Sequence, residues 1–452
     1  MVIINKLVIN NLKDTLIAFL TNAKSAGCCR ITVAYSGGID SHVLLSQLHL
    51  LNKSNDAIAL DAIYINHNLQ PLAAEWGLHC ETVCHSLDIP FKQINVQARP
   101  EKGESPEEKA RDARYAAFES EMQSNHWLLT AQHQEDQAET LLLQLLRGSG
   151  AAGLAAMPFR RKLGKGEHVR PLLDISKAEI EKFASQQNLS WVEDPTNLDQ
   201  SIARNYLRKS IFPVLKVKWS ETARMLSRSA NWLAEASTMM TEIAEEDLQA
   251  CYHDKQSLNI HALNKFSAVR QKNILRHWFH KKGLKRPGQE KLGILFDQII
   301  NAREDASPEL NWQGVTLRRY QNRLYVLGKI CEIDSDWQMS WDLKSPLELP
   351  TGWASLNSCE VIGKGLDKRL TSENLVVKIR KGGETCHPSE RSHSRSLKKL
   401  FQEYSIPPWQ RDRWPLIYLG EQLVAVPGLF ICKGFEARST EKGVEFVLSI
   451  VG

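Results

Sequence analysis

Arg30-Ile-Thr-Val-Ala-Tyr35 runs directly into Ser36-Gly37-Gly38-Ile39-Asp40-Ser41, and His42–Leu51 follows with Val43, Leu44, Leu48 and Leu51 at helical spacing. A β-branched run, a glycine pair and an apolar-periodic run read as strand, loop and helix. Two glycines let the backbone turn through positive φ and come close to an anion. The helix start beyond them offers free N–H groups and roughly half a positive charge. Ser36 and Ser41 add hydroxyl donors to the backbone of Gly37, Gly38 and Ile39. Asp40 is the odd member, because a carboxylate among phosphate oxygens repels them unless a cation bridges the two, which implies Mg²⁺ on Asp40. The alternative is a plain Gly turn with an Asp/Ser helix cap, and the strand–loop–helix context argues against it. This is not a Walker A loop, since no Gly-Lys-Ser/Thr occurs there.

Working outward, strand-like and helix-like runs alternate over the first ~215 residues. Ala57–Asn66, Phe91–Val96 and Trp127–Ala131 read as further strands. Ala73–Leu87, Glu107–Met122 (begun by Ser105-Pro106 as cap and first turn) and Glu135–Leu146 read as helices. Such alternation predicts an α/β fold, a parallel sheet covered by helices on both faces, with its ligand site beyond the carboxyl ends of the strands. From Ser220 to about Ile300 the pattern is helical. Leu310–Leu327 reads as a strand pair turning at Tyr320-Gln-Asn-Arg323, and Cys331–Leu349 as a linker. The remainder reads as a small α+β domain. The expected domains are 1–216, catalytic; 217–345, mainly helical; and 346–452, the small C-terminal domain.

The chain has 452 residues, 42% apolar and 24% charged, and Lys+Arg exceeds Asp+Glu by 57 − 52 = 5. These are ordinary globular values. The longest apolar stretches, such as Leu423–Cys432, fall well short of the about 20 residues a spanning helix needs, so no membrane role is expected. The N-terminus lacks the pattern of a signal peptide. Nine scattered cysteines suit free thiols in a reducing, cytoplasmic setting.

The hexapeptide at 36–41 resembles the pyrophosphate loop of the N-type ATP pyrophosphatases, which split ATP into AMP and pyrophosphate and adenylate a carbonyl oxygen. More segments follow in order: Tyr64-Ile-Asn-His67-Asn-Leu-Gln70, Glu107-Glu-Lys-Ala-Arg111-Asp-Ala-Arg114-Tyr115, and Thr130-Ala-Gln-His133-Gln-Glu-Asp136-Gln-Ala-Glu139-Thr140. Beyond them lie Leu145-Leu-Arg147-Gly148-Ser149-Gly150, Arg170-Pro-Leu-Leu, Glu193-Asp194-Pro-Thr196-Asn197, Arg204-Asn205-Tyr-Leu-Arg208 and Lys398-Lys399-Leu-Phe-Gln-Glu-Tyr-Ser-Ile-Pro-Pro-Trp409-Gln-Arg411. Taken together they resemble the tRNA(Ile)-lysidine synthetase family.

That resemblance implies ATP with Mg²⁺, free L-lysine, and a tRNA(Ile) with a CAU anticodon whose wobble cytidine becomes lysidine. It leaves a homodimer open. Ser36, Gly37, Gly38, Ile39 and Ser41 would hold the phosphates, and Asp40 the cation. Arg111 and His133 would face the α-phosphate, though Arg111 could instead pair with Glu107 one turn away. Asp136 and Glu139 lie three apart on one helix face and suit an ammonium group or the proton of an attacking amine. A solvated acidic helix start is the alternative. Arg147 and Gly148 suit ribose or base contact, or a simple helix C-cap. Arg204, Asn205 and Arg208 suit the target cytidine and its phosphates. Between Lys378 and Arg413 nine Lys/Arg meet four Asp/Glu, with Phe401, Tyr404, Trp409 and Trp414 interleaved. That mixture suits RNA, with Lys398, Lys399, Trp409 and Arg411 as expected contacts. Cys80 and Cys84 raise a competing reading, a tRNA sulfurtransferase built on the same loop. Two buried thiols on one helix face explain that spacing more simply.

Overall fold

In the computed structural model every residue is described except 1–10, 53–57, 68–71, 98–105, 255, 285–287, 304–305, 307, 313, 328–332 and 451–452. The chain forms two compact units, Met1–Met240 and Thr241–Gly452.

The first unit begins α1 (Leu12–Ser25), β1 (Arg30–Ala34), α2 (Ile39–Asn52), β2 (Ala59–Asn66), α3 (Ala73–Ser86), β3 (Phe91–Asn95), α4 (Pro106–Glu121), β4 (His126–Leu129) and α5 (Gln134–Leu146). These follow the sequence reading closely, because apolar period and glycine position mark each of them. The expected Ser105 cap and the residues after His67 lie outside the described residues. Beyond α5 come α6 (Ala151–Leu154), β5 (Arg160–Leu163), β6 (Gly166–Val169), α7 (Lys177–Gln186), α8 (Ala203–Tyr206), a π-turn over Leu207–Ile211, α9 (Phe212–Lys218) and the start of the long α10 (Thr222–Cys251), whose last residues belong to the second unit.

The sheet runs β3-β2-β1-β4-β6-β5. Neighbours are parallel except β5, which pairs antiparallel with β6 at the edge. β1 lies between β2 and β4, so successive connections leave it in opposite directions. This is the switch point where an α/β sheet opens a crevice at its carboxyl end. One sheet face packs Ile31 and Val33 against Leu16 and Leu20 of α1, Leu44 and Leu48 of α2, and Ile180 of α7. The other packs Ile63, Ile65 and Leu128 against Phe118 of α4, with Met122 and Leu163. Helices on both faces leave only the strand ends for chemistry.

In the second unit, β7 (Ser257–Asn259), β8 (Glu309–Trp312), β9 (Val315–Tyr320) and β10 (Arg323–Leu327) form an antiparallel sheet ordered β7-β10-β9-β8. The expected strand pair is thus three strands, and β7 falls in a stretch read as purely helical. Three residues are too short to carry a period. The described part of the expected linker holds two more short strands, Gln338–Ser340 and Leu347–Glu348, which gain their partners from Leu375–Ile379 and Ala354–Ile362. Ala354–Ile362 also pairs along its whole length with Lys442–Ile450. The helix Leu397–Glu403 covers the neighbouring sheet through Leu397, Leu400 and Phe401.

Candidate functional site

The glycine loop fills the end of β1. Gly37 takes φ +80°, and a Cβ there would meet Cys80 Sγ at 3.2 Å. The conformation therefore calls for glycine, and the space beside it is tight. Ser41 Oγ accepts from the Ser36 N–H at 3.2 Å and donates to the Gly38 carbonyl at 3.0 Å, which ties the loop into a closed turn. The Val192 N–H donates to the Gly37 carbonyl at 3.0 Å and braces the turn from outside. The first N–H groups of α2 have no partner in their own helix.

Asp40 sits in the first turn of α2. Its Oδ1 accepts from Lys177 Nζ at 2.6 Å, and its Oδ2 lies 3.8 Å from His133 Nε2. Lys177 was not singled out in the sequence. A lysine opening a helix opposes the helix dipole, yet here Asp40 takes its ammonium and Glu135 accepts its backbone N–H at 2.9 Å. Ser176 and Glu179 form a capping box around it. That Ser-x-x-Glu signature is the signal that could have exposed Lys177 as a helix start aimed at the site.

His133 closes the end of β4 and heads α5. It is 4% exposed. Its Nδ1 lies 3.2 Å from Glu135 and its Nε2 3.5 Å from Asp136. Burial alone would lower its pKa, but the Glu135 hydrogen bond and the Asp136 and Asp40 carboxylates outweigh burial and raise it. The imidazole is therefore held toward its cationic form, ready to face an anion.

Asp136 and Glu139 converge as their spacing predicts. Arg208 occupies both: its Nε and Nη2 donate to Glu139 at 2.7 and 2.8 Å, and Nη2 donates to Asp136 at 3.1 Å. Arg204 Nε lies 3.5 Å from Glu139 and its Nη2 donates to Thr140 at 2.8 Å. Burial raises the Glu139 pKa, with Asp136 adding to it and Arg208 and Arg204 opposing. The acids and the arginines read separately from the sequence thus form one cluster. Asn205 is buried and donates to the carbonyls of Thr196 and Asp199, so it holds that loop. Arg147 is exposed at the end of α5, and Gly148 takes φ +69° just after it. Arg111 on α4 lies with its guanidinium carbon 5.1 Å from the Tyr115 ring centre.

The residues suit a magnesium–nucleotide pair. Mg²⁺ commonly takes one or two carboxylates and completes its shell with phosphate oxygens and water. Asp40 offers one carboxylate at the loop, and among the described residues no group of three His, Cys, Asp or Glu is placed to hold a metal without a ligand's help.

The second unit departs more from expectation. Phe401 is fully buried and Trp414 is 5% exposed, so neither presents a ring to RNA. A basic and aromatic run reads alike whether its rings face in or out. Trp409 packs edge-on against Tyr325 and Tyr320, with centres 5.2 and 6.2 Å away. Arg411 donates to the Tyr320 hydroxyl at 2.9 Å. Lys398 and Lys399 are exposed.

Among known proteins, a PP-loop domain profile matches residues 10–215. Fold and loop together define the first unit as a PP-loop ATP-binding domain. Profiles described as the TilS substrate binding domain and the TilS substrate C-terminal domain match 258–325 and 375–448. The tRNA(Ile)-lysidine synthase of Coxiella burnetii is 42% identical over 430 residues, 95% of each chain. That of Photorhabdus laumondii is 39% identical over 94% of this chain and 96% of its own. The chain belongs to the tRNA(Ile)-lysidine synthase family. A U34-tRNA thiolase from Methanococcus maripaludis with a [4Fe-4S] cluster covers 49% of this chain and 80% of its own, at 17% identity and TM-score 0.40, too remote to bear on function. Cys80 and Cys84 are fully buried, and burial pushes both thiols up to about 12. Thiols held protonated are poor nucleophiles and poor ligands, so the sulfurtransferase reading is not favoured.

Proposed function

We propose that the chain joins free L-lysine to C2 of the wobble cytidine in a tRNA(Ile) with a CAU anticodon. The C2 carbonyl oxygen attacks the ATP α-phosphate and pyrophosphate leaves. The lysine ε-amine then attacks C2, AMP departs with that oxygen, and the amine's proton passes to a base. Lysidine pairs with A, so the tRNA reads AUA rather than AUG.

The turn at 36–41 binds the β- and γ-phosphates through backbone N–H groups and two hydroxyls. Asp40 would hold Mg²⁺, which supplies charge neutralisation for the leaving pyrophosphate. Lys177 balances Asp40 in the free chain. His133 and Arg111 offset charge on the α-phosphate. Asp136 and Glu139 receive the lysine ammonium, which takes the place of Arg208, and one of them accepts the proton from the attacking amine. The freed Arg208, with Arg204, turns to the cytidine. An anticodon base is easily splayed from its stack, which such chemistry requires. Arg147 and Gly148 offer a ribose or base contact. Lys398 and Lys399 add tRNA backbone contacts from residues 346–452, with residues 217–345 as a further tRNA-binding segment.

The observation that carries this reading is one sheet end holding a glycine loop, a histidine whose pKa is raised by neighbouring carboxylates and an acid pair of which Glu139 is buried, in a chain 42% identical to a lysidine synthase over 95% of its length. Incubation with labelled lysine, ATP and tRNA(Ile) with a CAU anticodon should label the tRNA, while methionine tRNA stays unlabelled. Equal labelling of both, or of neither, contradicts the proposal.

A further inference from the structure

Tyr115 on α4 is ringed by guanidinium groups. Arg161 on β5, Arg111 and Arg114 have their guanidinium carbons 4.6, 5.1 and 5.8 Å from its ring centre. Tyr115 in turn lies 5.6 Å from the ring of His168 on β6, which is fully buried. Arg161 Nε donates to His168 Nδ1 at 3.2 Å, so Nε2 carries the proton and donates to Thr130 Oγ1 at 2.7 Å. Burial and then four arginines, Arg170, Arg161, Arg111 and Arg114, push His168 down to about 3. The four charges acting most strongly on this imidazole are all positive. Such a concentration of positive charge attracts an anion.

Arg170 deepens the anomaly. It stands just past β6 and is 2% exposed. One guanidinium nitrogen donates to the Pro158 carbonyl at 2.7 Å, while Nε finds no partner among the described atoms. A buried guanidinium N–H left unpaired is destabilising. Arg161 stands in register with His168 on the edge strand, on the same side as buried Leu163, and is itself exposed. The cluster therefore runs from a buried arginine at the sheet's carboxyl end out to solvent. Edge-strand charge that only blunts aggregation needs no buried arginine behind it.

Given the tRNA reading above, we propose that Arg161, Arg114 and Arg170 seat a phosphodiester of the tRNA strand flanking the base to be modified. Guanidinium forks match phosphate oxygens, and Arg170 Nε then gains its acceptor. Arg111, assigned above to the α-phosphate, borders this seat, so strand and nucleotide would be registered side by side.

Arg161 is the accessible member to test. In the full-length chain, tRNA affinity is measured without nucleotide across a salt series, and ATP affinity without tRNA. Arg161→Gln should weaken tRNA binding and reduce the slope of log affinity against log salt by about 1, with ATP affinity unchanged. Arg161→Lys should keep most of the slope. An unchanged slope in Arg161→Gln overturns the proposal. So does a fall in ATP affinity with the slope intact, which would assign the cluster to a nucleotide phosphate. Lysine incorporation by the unaltered chain, run alongside, tests the functional reading independently of this slope.

Discussion

The two units handle charge in opposite ways. In the first, Asp40 meets Lys177, buried Glu139 meets Arg208 and Arg204, and His133 lies among three carboxylates, all around the end of one sheet. In the second, Arg391 and Arg395 share the exposed Glu403, while Lys398 and Lys399 stand in solvent and the rings of Phe401 and Trp414 turn inward. Burial of Glu139 and His133 strengthens their pairings, whereas exposed pairs contribute little. The first arrangement suits chemistry and the second suits attraction of a polyanion.

The sharpest way to break that contrast is Asp40→Ala. Lysidine formation should fall by about 10³-fold or more, with the thermal midpoint nearly unchanged because Asp40 is part-exposed. Near-normal turnover would remove the cation from the account. Glu139→Gln should raise the KM for lysine about 100-fold, the scale of losing a charge-assisted pair, with a smaller change in the KM for ATP. An equal rise in both would mark a folding defect rather than a lysine site.

On the second unit, Lys398→Glu with Lys399→Glu should weaken tRNA binding about tenfold and reduce the salt slope by about 2. Kinetics at saturating tRNA should stay intact; a loss of kcat there would erase the distinction between the units. The smallest effect is a pH shift. His133 has a raised folded pKa, so its charge is complete below the ordinary value of 6.5 and is lost as pH rises through the higher folded value. Turnover should therefore decline on the alkaline side of 6.5, and His133→Gln should flatten that limb. A limb unchanged in the variant assigns the titration elsewhere.

How much of this was legible in the sequence follows from the same contrast. From Arg30 to Leu146 the strands and helices lie within about three residues of their expected ends, because period and glycine punctuation are strong there. The loop, His133 and the acid pair were legible as motifs at strand ends. The union of Glu139 with Arg208 was not, since 69 residues separate them and only the fold joins them. The hairpin β5–β6 escaped notice because its strands are four residues each, too short to show a period, and β5 is mostly arginine and lysine. Phe401 and Trp414 misled because composition does not record which way a ring faces.

The central claim, that this site activates the tRNA base rather than the amino acid, is most directly tested with ATP labelled at the α-phosphate, in the absence of lysine. The account predicts that label becomes attached to the CAU tRNA and leaves as AMP when lysine is added. Label that never reaches the tRNA, and instead appears as an adenylate of lysine, would contradict it.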